Sequence, residues 1–155
     1  MKRVLYATTA GIFAVAALSL GALAGPVAPG DVKIEDGQIK ASLTGKAGDA
    51  VKGKEVFANR KLGNCLACHE NPDLAKSEQF HGEVGPTLAG VAARWNEAQL
   101  RAIVVNSKAA LSEETIMPAF YRTTGFNRPL DKFEGKTVLS AEQVEDIVAY
   151  LLTLK

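Results

Sequence analysis

Cys65, Leu66, Ala67, Cys68 and His69 follow one another in this 155-residue chain and include both of its cysteines. C-x-x-C-H is the attachment signature of haem c. The two thiols add across the two vinyl groups of the porphyrin, and their spacing matches the vinyl separation when the chain turns helically. His69 comes next, so its imidazole rises under the iron as the proximal ligand. Three other readings of a close cysteine pair fit less well. A thioredoxin-like pair wants a βαβ context, and none is visible. A zinc site wants a fourth ligand, and no further Cys exists. A disulfide across two residues is strained and leaves His69 without a role. One motif implies one covalently bound haem c.

The other axial ligand is sought among soft donors. Only two Met occur, and Met1 sits at the start of an export signal. Met117 remains, 48 residues after His69 and followed by Pro118. Pro118 biases Met117 to extended backbone, which suits a thioether projected from a loop. A lone Met more often fills a core. His81, the only other His, lies in Gln79-Phe80-His81-Gly82 and reads as a surface loop residue on the proximal side. Met117 is the expected distal ligand, with His81 or an open, water-filled position as the competing readings.

These side chains need a scaffold, and the first segment does not belong to it. Lys2 and Arg3 precede a run without charge from Val4 to Ala24, which ends Ala22-Leu23-Ala24 before Gly25. This has the form of a secretory signal peptide, with cleavage expected after Ala24. An uncleaved anchor is the competing reading. Removing 24 of the 155 residues leaves 131, with 16 basic and 17 acidic side chains. That length allows one domain of ordinary size. The near-neutral charge argues against a nucleic-acid binder that relies on phosphate attraction. Export places the protein in the periplasm of a bacterium, where haem c is attached. No stable membrane insertion is expected after cleavage.

Residues 25–48 read as a leader, with alternating apolar positions around Asp36-Gly37 that suggest a small hairpin or an arm laid on the domain. Residues 49–155 read as the haem domain. Asp49 can cap a helix over Ala50 to Asn59, with Gly53 and Phe57 on one face. Asn96 and Gln99 form a capping box for a helix to about Asn106, whose buried stripe is Leu100, Ile103 and Val104. Ser112-Glu113-Glu114 suggests a short helical turn before Met117. Phe120 to Leu139 has no periodicity, and a loop of that length is usually functional or partner-facing. Ser140 and Gln143 cap the last helix, where Val144, Ile147, Val148, Leu151 and Leu152 keep helical apolar spacing. Glu142, Glu145 and Asp146 crowd its first turns, as the helix dipole favours. The scattered Lys and Arg read as solvated surface. The expectation is an all-α fold of three main helices around one haem.

From Asp49 onward the residues resemble class I cytochromes c. Gly53-x-x-x-Phe57 matches the N-terminal helix of that family, with Tyr150 as the aromatic partner on the last helix. Gly85-Pro86-x-Leu88-x-Gly90 matches the loop whose Pro carbonyl accepts the proximal His N–H. The resemblance thus makes Pro86 the residue that orients His69. It places Arg94 near a haem propionate, against the plain reading of a surface Arg.

A closer resemblance spans nearly the whole chain after residue 24. The sequence is similar to the SoxX family, the smaller haem subunits of SoxAX complexes in bacterial thiosulfate oxidation. Leu43-Thr44-Gly45-Lys46 with Gly48-Asp49, and Gly63-Asn64 before the haem motif, carry it. So do Phe80-His81-Gly82-Glu83-Val84-Gly85-Pro86, Met117-Pro118-Ala119-Phe120-Tyr121-Arg122 and the ending Leu139 to Leu151. The resemblance implies a heterodimer with a SoxA-like haem subunit. That complex couples thiosulfate to a cysteine of the SoxYZ carrier and releases two electrons. The reacting haem, with its cysteine ligand, belongs to SoxA, and this chain has no third Cys for such a role. Its haem would accept electrons and pass them to a downstream cytochrome. Alone, the chain need not be an enzyme; within the pair it would serve an L-cysteine S-thiosulfotransferase. The alternative is a freestanding electron shuttle. A haem-based ligand sensor is a third reading, against which Met117 argues.

Overall fold

The computed structural model describes residues 25–155. The export signal expected over residues 1–24 lies outside the described residues. Four helices follow in order: α1 (Ala50–Ala58), the short α2 (Val91–Arg94), α3 (Glu97–Ala110) and α4 (Ala141–Leu151). No extended strand occurs among the described residues, only an isolated bridge between Glu35 and Gln38. None of the described helices is long and apolar enough to cross a membrane.

The helix starts follow from their caps. The Asp49 carboxylate accepts the Val51 and Lys52 N–H groups. Asn96 with Gln99, and Ser140 with Gln143, form complete capping boxes. Each satisfies N–H groups that a helix start otherwise leaves without partners. Val144, Ile147, Val148 and Leu151 of α4 are buried, and Leu152 is half-buried.

α1 crosses α4 at close range because Gly53 sits at the crossing. A Cβ there would run into the Asp146 carbonyl and come within 2.9 Å of Tyr150 Cβ. Phe57 then meets Tyr150 edge-on, with ring centroids 5.7 Å apart. The Tyr150 hydroxyl accepts from Asn71 Nδ2 at 2.9 Å and donates to Asp73 Oδ2 at 2.8 Å. Lys54 Nζ pairs with the same Asp73 oxygen at 2.8 Å. The crossing is therefore tied to the loop that follows the haem motif.

Burial, and the Asp73 carboxylate that accepts its proton, push the Tyr150 phenol well above its ordinary range. A raised value in the fold favours the protonated form. The resulting stability is present below the unfolded tyrosine value of about 10 and is lost as pH rises beyond it. Thermal melts across alkaline pH should therefore fall more steeply for the native protein than for Tyr150→Phe. Equal slopes would show that this phenol does not couple to folding.

The leader forms an arm, and its hairpin is reduced to one bridge. Asp36 and Gly37 take φ of 51° and 70°, as an Asp-Gly turn requires. Pairing stops there because the next donors go elsewhere. Ile39 N–H donates to the Ala98 carbonyl at 3.0 Å, and Leu43 N–H to Glu145 Oε1 at 2.8 Å. Val27 N–H donates to the Leu43 carbonyl at 2.7 Å, and the Tyr121 hydroxyl to the Val27 carbonyl at 2.7 Å.

Two expectations about charge are overturned at this seam. Arg101 and Glu145, read as solvated surface and helix-dipole charges, are only 2% and 3% exposed. Arg101 Nε lies 2.8 Å from Glu145 Oε1 and Nη2 lies 3.0 Å from Oε2. Arg101 Nη1 also donates to the Ile39 carbonyl at 2.9 Å. The pair is buried because the arm covers it, and no spacing within α3 or α4 announces that cover. The α3 stripe shifts accordingly: Leu100, Arg101, Val104 and Val105 are buried, while Ile103 is half-buried. α3 also continues past Asn106 to Ala110, but Asn106 itself has φ −157° and ψ 89°, so the helix bends where an end was expected. Ser112 to Thr115 forms a hydrogen-bonded turn rather than a helical one, with Thr115 N–H on the Ser112 carbonyl at 3.1 Å.

Candidate haem site

Asn64 adopts left-handed backbone, with φ 50°, and starts a single 3-10 turn over Cys65–Ala67. The Cys68 and His69 N–H groups both donate to the Cys65 carbonyl, at 3.1 and 3.0 Å. The motif is thus one tight turn, pinned inward by buried Leu66. It presents two free, half-buried thiols and then the imidazole. Burial pushes the Cys65 thiol up to about 12.

A second segment lies directly on that turn. Gly82 N–H donates to the Leu66 carbonyl at 2.8 Å, and Gly85 N–H to the Cys68 carbonyl at 2.7 Å. Both positions need glycine for closeness. A Cβ on Gly82 would strike the Ala67 carbonyl, and one on Gly85 would sit 2.5 Å from His69 Cε1. Pro86 follows, and its carbonyl lies 2.8 Å from His69 Nδ1. A carbonyl only accepts, so Nδ1 carries the proton and the Nε2 lone pair is left for a metal.

Arg94, at the end of α2, donates from Nη1 to the Ala89 carbonyl at 2.5 Å and from Nη2 to the Thr87 carbonyl at 2.7 Å. It therefore braces the loop that carries Pro86. Its remaining N–H groups are what a propionate could use.

The thioether arrives on the segment between α3 and the long loop. Met117 is half-buried and packs against the core. Ser107 Oγ donates to its carbonyl at 2.5 Å. Phe120 and Tyr121 N–H groups donate to the Val104 and Val105 carbonyls at 3.3 and 3.2 Å. Phe120 also reaches the haem motif, since a Cβ on Gly63 would lie 3.6 Å from its ring and 3.1 Å from Cys65 Sγ.

His81 is not the surface residue its loop suggested. Its Nδ1 accepts the Asn71 N–H at 3.2 Å, and its Nε2 is buried without a partner. The reason is the Gly82 contact, which draws the loop down onto the motif. The sequence signal was Gly82 itself, a residue with no turn to justify it.

The donor set fits haem c. Two thiols share one turn, an imidazole offers Nε2, and one thioether is held on a separate segment. Among the described residues no group of three or more His, Cys, Asp or Glu converges as a metal site of its own.

Comparison with known proteins agrees with this geometry. The model of the family described as cytochrome c matches residues 50–155. The chain belongs to the cytochrome c family and carries one covalently bound haem c. Among solved structures it is similar to a chain of SoxXA from P. pantotrophus. Identity is 45%, TM-score 0.77, and the match covers 84% of this chain and 98% of that one. At that identity and coverage the resemblance to the SoxX group holds. The c-type cytochrome SorU from Sinorhizobium meliloti is more distant, at 23% identity and TM-score 0.44, covering 68% of this chain and 88% of that one. No curated protein sequence gives a significant match.

Proposed function

We propose that the chain is the monohaem electron-transfer subunit of a SoxAX-type heterodimer of the periplasm. The observation that carries this is the 45% identity to a chain of SoxXA, over 84% of this chain and 98% of that one. In this reading the reaction that joins thiosulfate to the SoxYZ cysteine takes place on the SoxA-like partner. The present chain takes electrons from that site and hands them to a downstream cytochrome.

When bound, haem c supplies a one-electron couple. Cys65 and Cys68 would hold it through thioethers, and His69 and Met117 would be the axial ligands. The Pro86 carbonyl fixes the His69 ring and its tautomer, and strengthens the imidazole as a donor. Gly85 lets that segment lie flat against the ring. A thioether paired with an imidazole on the iron would favour the reduced state and so raise the potential. Arg94 braces the Pro86 loop and would also partner a propionate. The arm and the 120–139 loop, which a bare carrier domain does not need, are the surfaces offered to the partner.

Native purification with mass measurement tests the reading. The expected result is co-purification with a larger haem protein whose iron has a cysteine ligand. A monomer that turns over with several unrelated reductases would contradict it and support the freestanding shuttle.

A further inference from the structure

The bend in α3 at Asn106 has a consequence for the distal side. Before it, α3 is anchored by its capping box and by Arg101. After it, Ser107 and Lys108 both turn toward the segment that carries Met117. Ser107 is fully buried, and its hydroxyl donates to the Met117 carbonyl at 2.5 Å. Lys108 Nζ donates to two further carbonyls of the same segment, Glu113 at 2.7 Å and Thr115 at 2.6 Å. Two adjacent side chains thus hold three backbone carbonyls within five residues, the last of them belonging to Met117. The other bonds of this stretch run within it: Thr115 N–H to the Ser112 carbonyl at 3.1 Å, Glu114 N–H to Ser112 Oγ at 3.2 Å and Met117 N–H to Thr115 Oγ1 at 3.4 Å. Ile116 is 76% exposed and the Ser112–Glu114 turn is open to solvent. Pro118 follows Met117 and has no N–H to contribute. The ladder resumes only at Phe120 and Tyr121.

We propose that Ser107 and Lys108 are positioning residues which clasp the Met117 segment against the distal side of the haem. The inference rests on the reading of Met117 as an axial ligand. A loop held at both ends but free in the middle would let the thioether leave and return. The clasp restrains that middle. Ser107 fixes the Met117 peptide directly. Lys108 fixes the two residues that determine where the peptide begins. A charged donor makes the stronger bonds, so Lys108 should contribute at least as much as Ser107.

Capture of imidazole by the oxidised holoprotein measures release of the thioether, because imidazole binds only after Met117 departs. The absorption band from Met sulfur to ferric iron reports the starting state. Ser107→Ala and Lys108→Met should each bind imidazole about five- to tenfold faster, the factor expected from losing one or two such bonds. Lys108→Arg and Ser107→Thr retain a donor and should restore most of the native rate. Val144→Ala, a cavity in the buried face of α4, should lower thermal stability while leaving the imidazole rate unchanged, which separates a local effect from general destabilisation. Lys108 is only half-buried, so Lys108→Met keeps the test open if Ser107→Ala folds poorly. Native-like rates in both variants, with the band lost in Met117→Ala, would overturn the clasp and leave Met117 as the ligand. A band that survives in Met117→Ala would remove the ligand reading and the clasp with it.

Discussion

Glu145→Gln should destabilise the fold by about 3–5 kcal/mol, the cost of leaving one member of a buried ion pair without its counter-charge. Arg101 is 2% exposed and faces both carboxylate oxygens of Glu145. A Gln at 145 keeps one acceptor but turns an amide N–H toward the guanidinium. Glu97, the other carboxylate on Arg101, is largely exposed and screened by water, so it compensates little. For a domain of this size the loss corresponds to a fall in Tm of about 10–20 °C. The arm should loosen at the same time, because Leu43 N–H and the Ile39 carbonyl are both held by this pair. Limited trypsin digestion should then cut the arm at Lys33 or Lys40 before the helical domain. Arg101→Met combined with Glu145→Leu should recover part of the stability, since no charge is left buried. Recovery should be incomplete, because those two backbone groups lose partners at about 1–3 kcal/mol each. A single variant that melts with the native protein would show that the pair does not hold the arm.

Gly53→Ala should also destabilise, although the substitution improves helix propensity. Ala in a helix interior gains about 1 kcal/mol over Gly. Against this, the new Cβ would overlap the Asp146 carbonyl, and Tyr150 Cβ is only 2.9 Å away. A backbone carbonyl inside α4 cannot swing aside, so α1 must withdraw along the crossing. Withdrawal breaks the Phe57–Tyr150 edge contact and strains the Asp49 N–H bond to Asp146 Oδ1, now 2.7 Å. Overpacking of this kind costs about 3 kcal/mol at the upper end, so the net expectation is a loss of about 2 kcal/mol. Denaturant melts of the holoprotein measure it. A variant more stable than the native chain would mean that α1 and α4 cross further apart than described.

Local signals announced much of this. Asn96 with Gln99 and Ser140 with Gln143 marked the starts of α3 and α4 to the residue, because a cap is chemistry between neighbours in sequence. The haem motif was legible for the same reason, as five consecutive residues. Contacts between distant segments were not legible. Arg101 and Glu145 lie 44 residues apart, and each alone looks like a surface charge. The Asp36-Gly37 turn was found, yet the hairpin around it did not extend, because Ile39 and Leu43 spend their N–H groups on Ala98 and Glu145. The apolar pattern of α3 named Ile103 as core, whereas cover by the arm moves the buried face toward Arg101 and Val105. Ser107 and Lys108 carried no signal at all, since the carbonyls they hold are backbone groups.

Everything proposed for this chain depends on Cys65 and Cys68 carrying one haem through thioether bonds. Intact mass of the exported protein, denatured in acid and free of loosely bound cofactor, tests it most directly. The expected result is a single species with the mass of residues 25–155 plus one haem. A species with the mass of the bare chain, with its two thiols free or joined to each other, would contradict it.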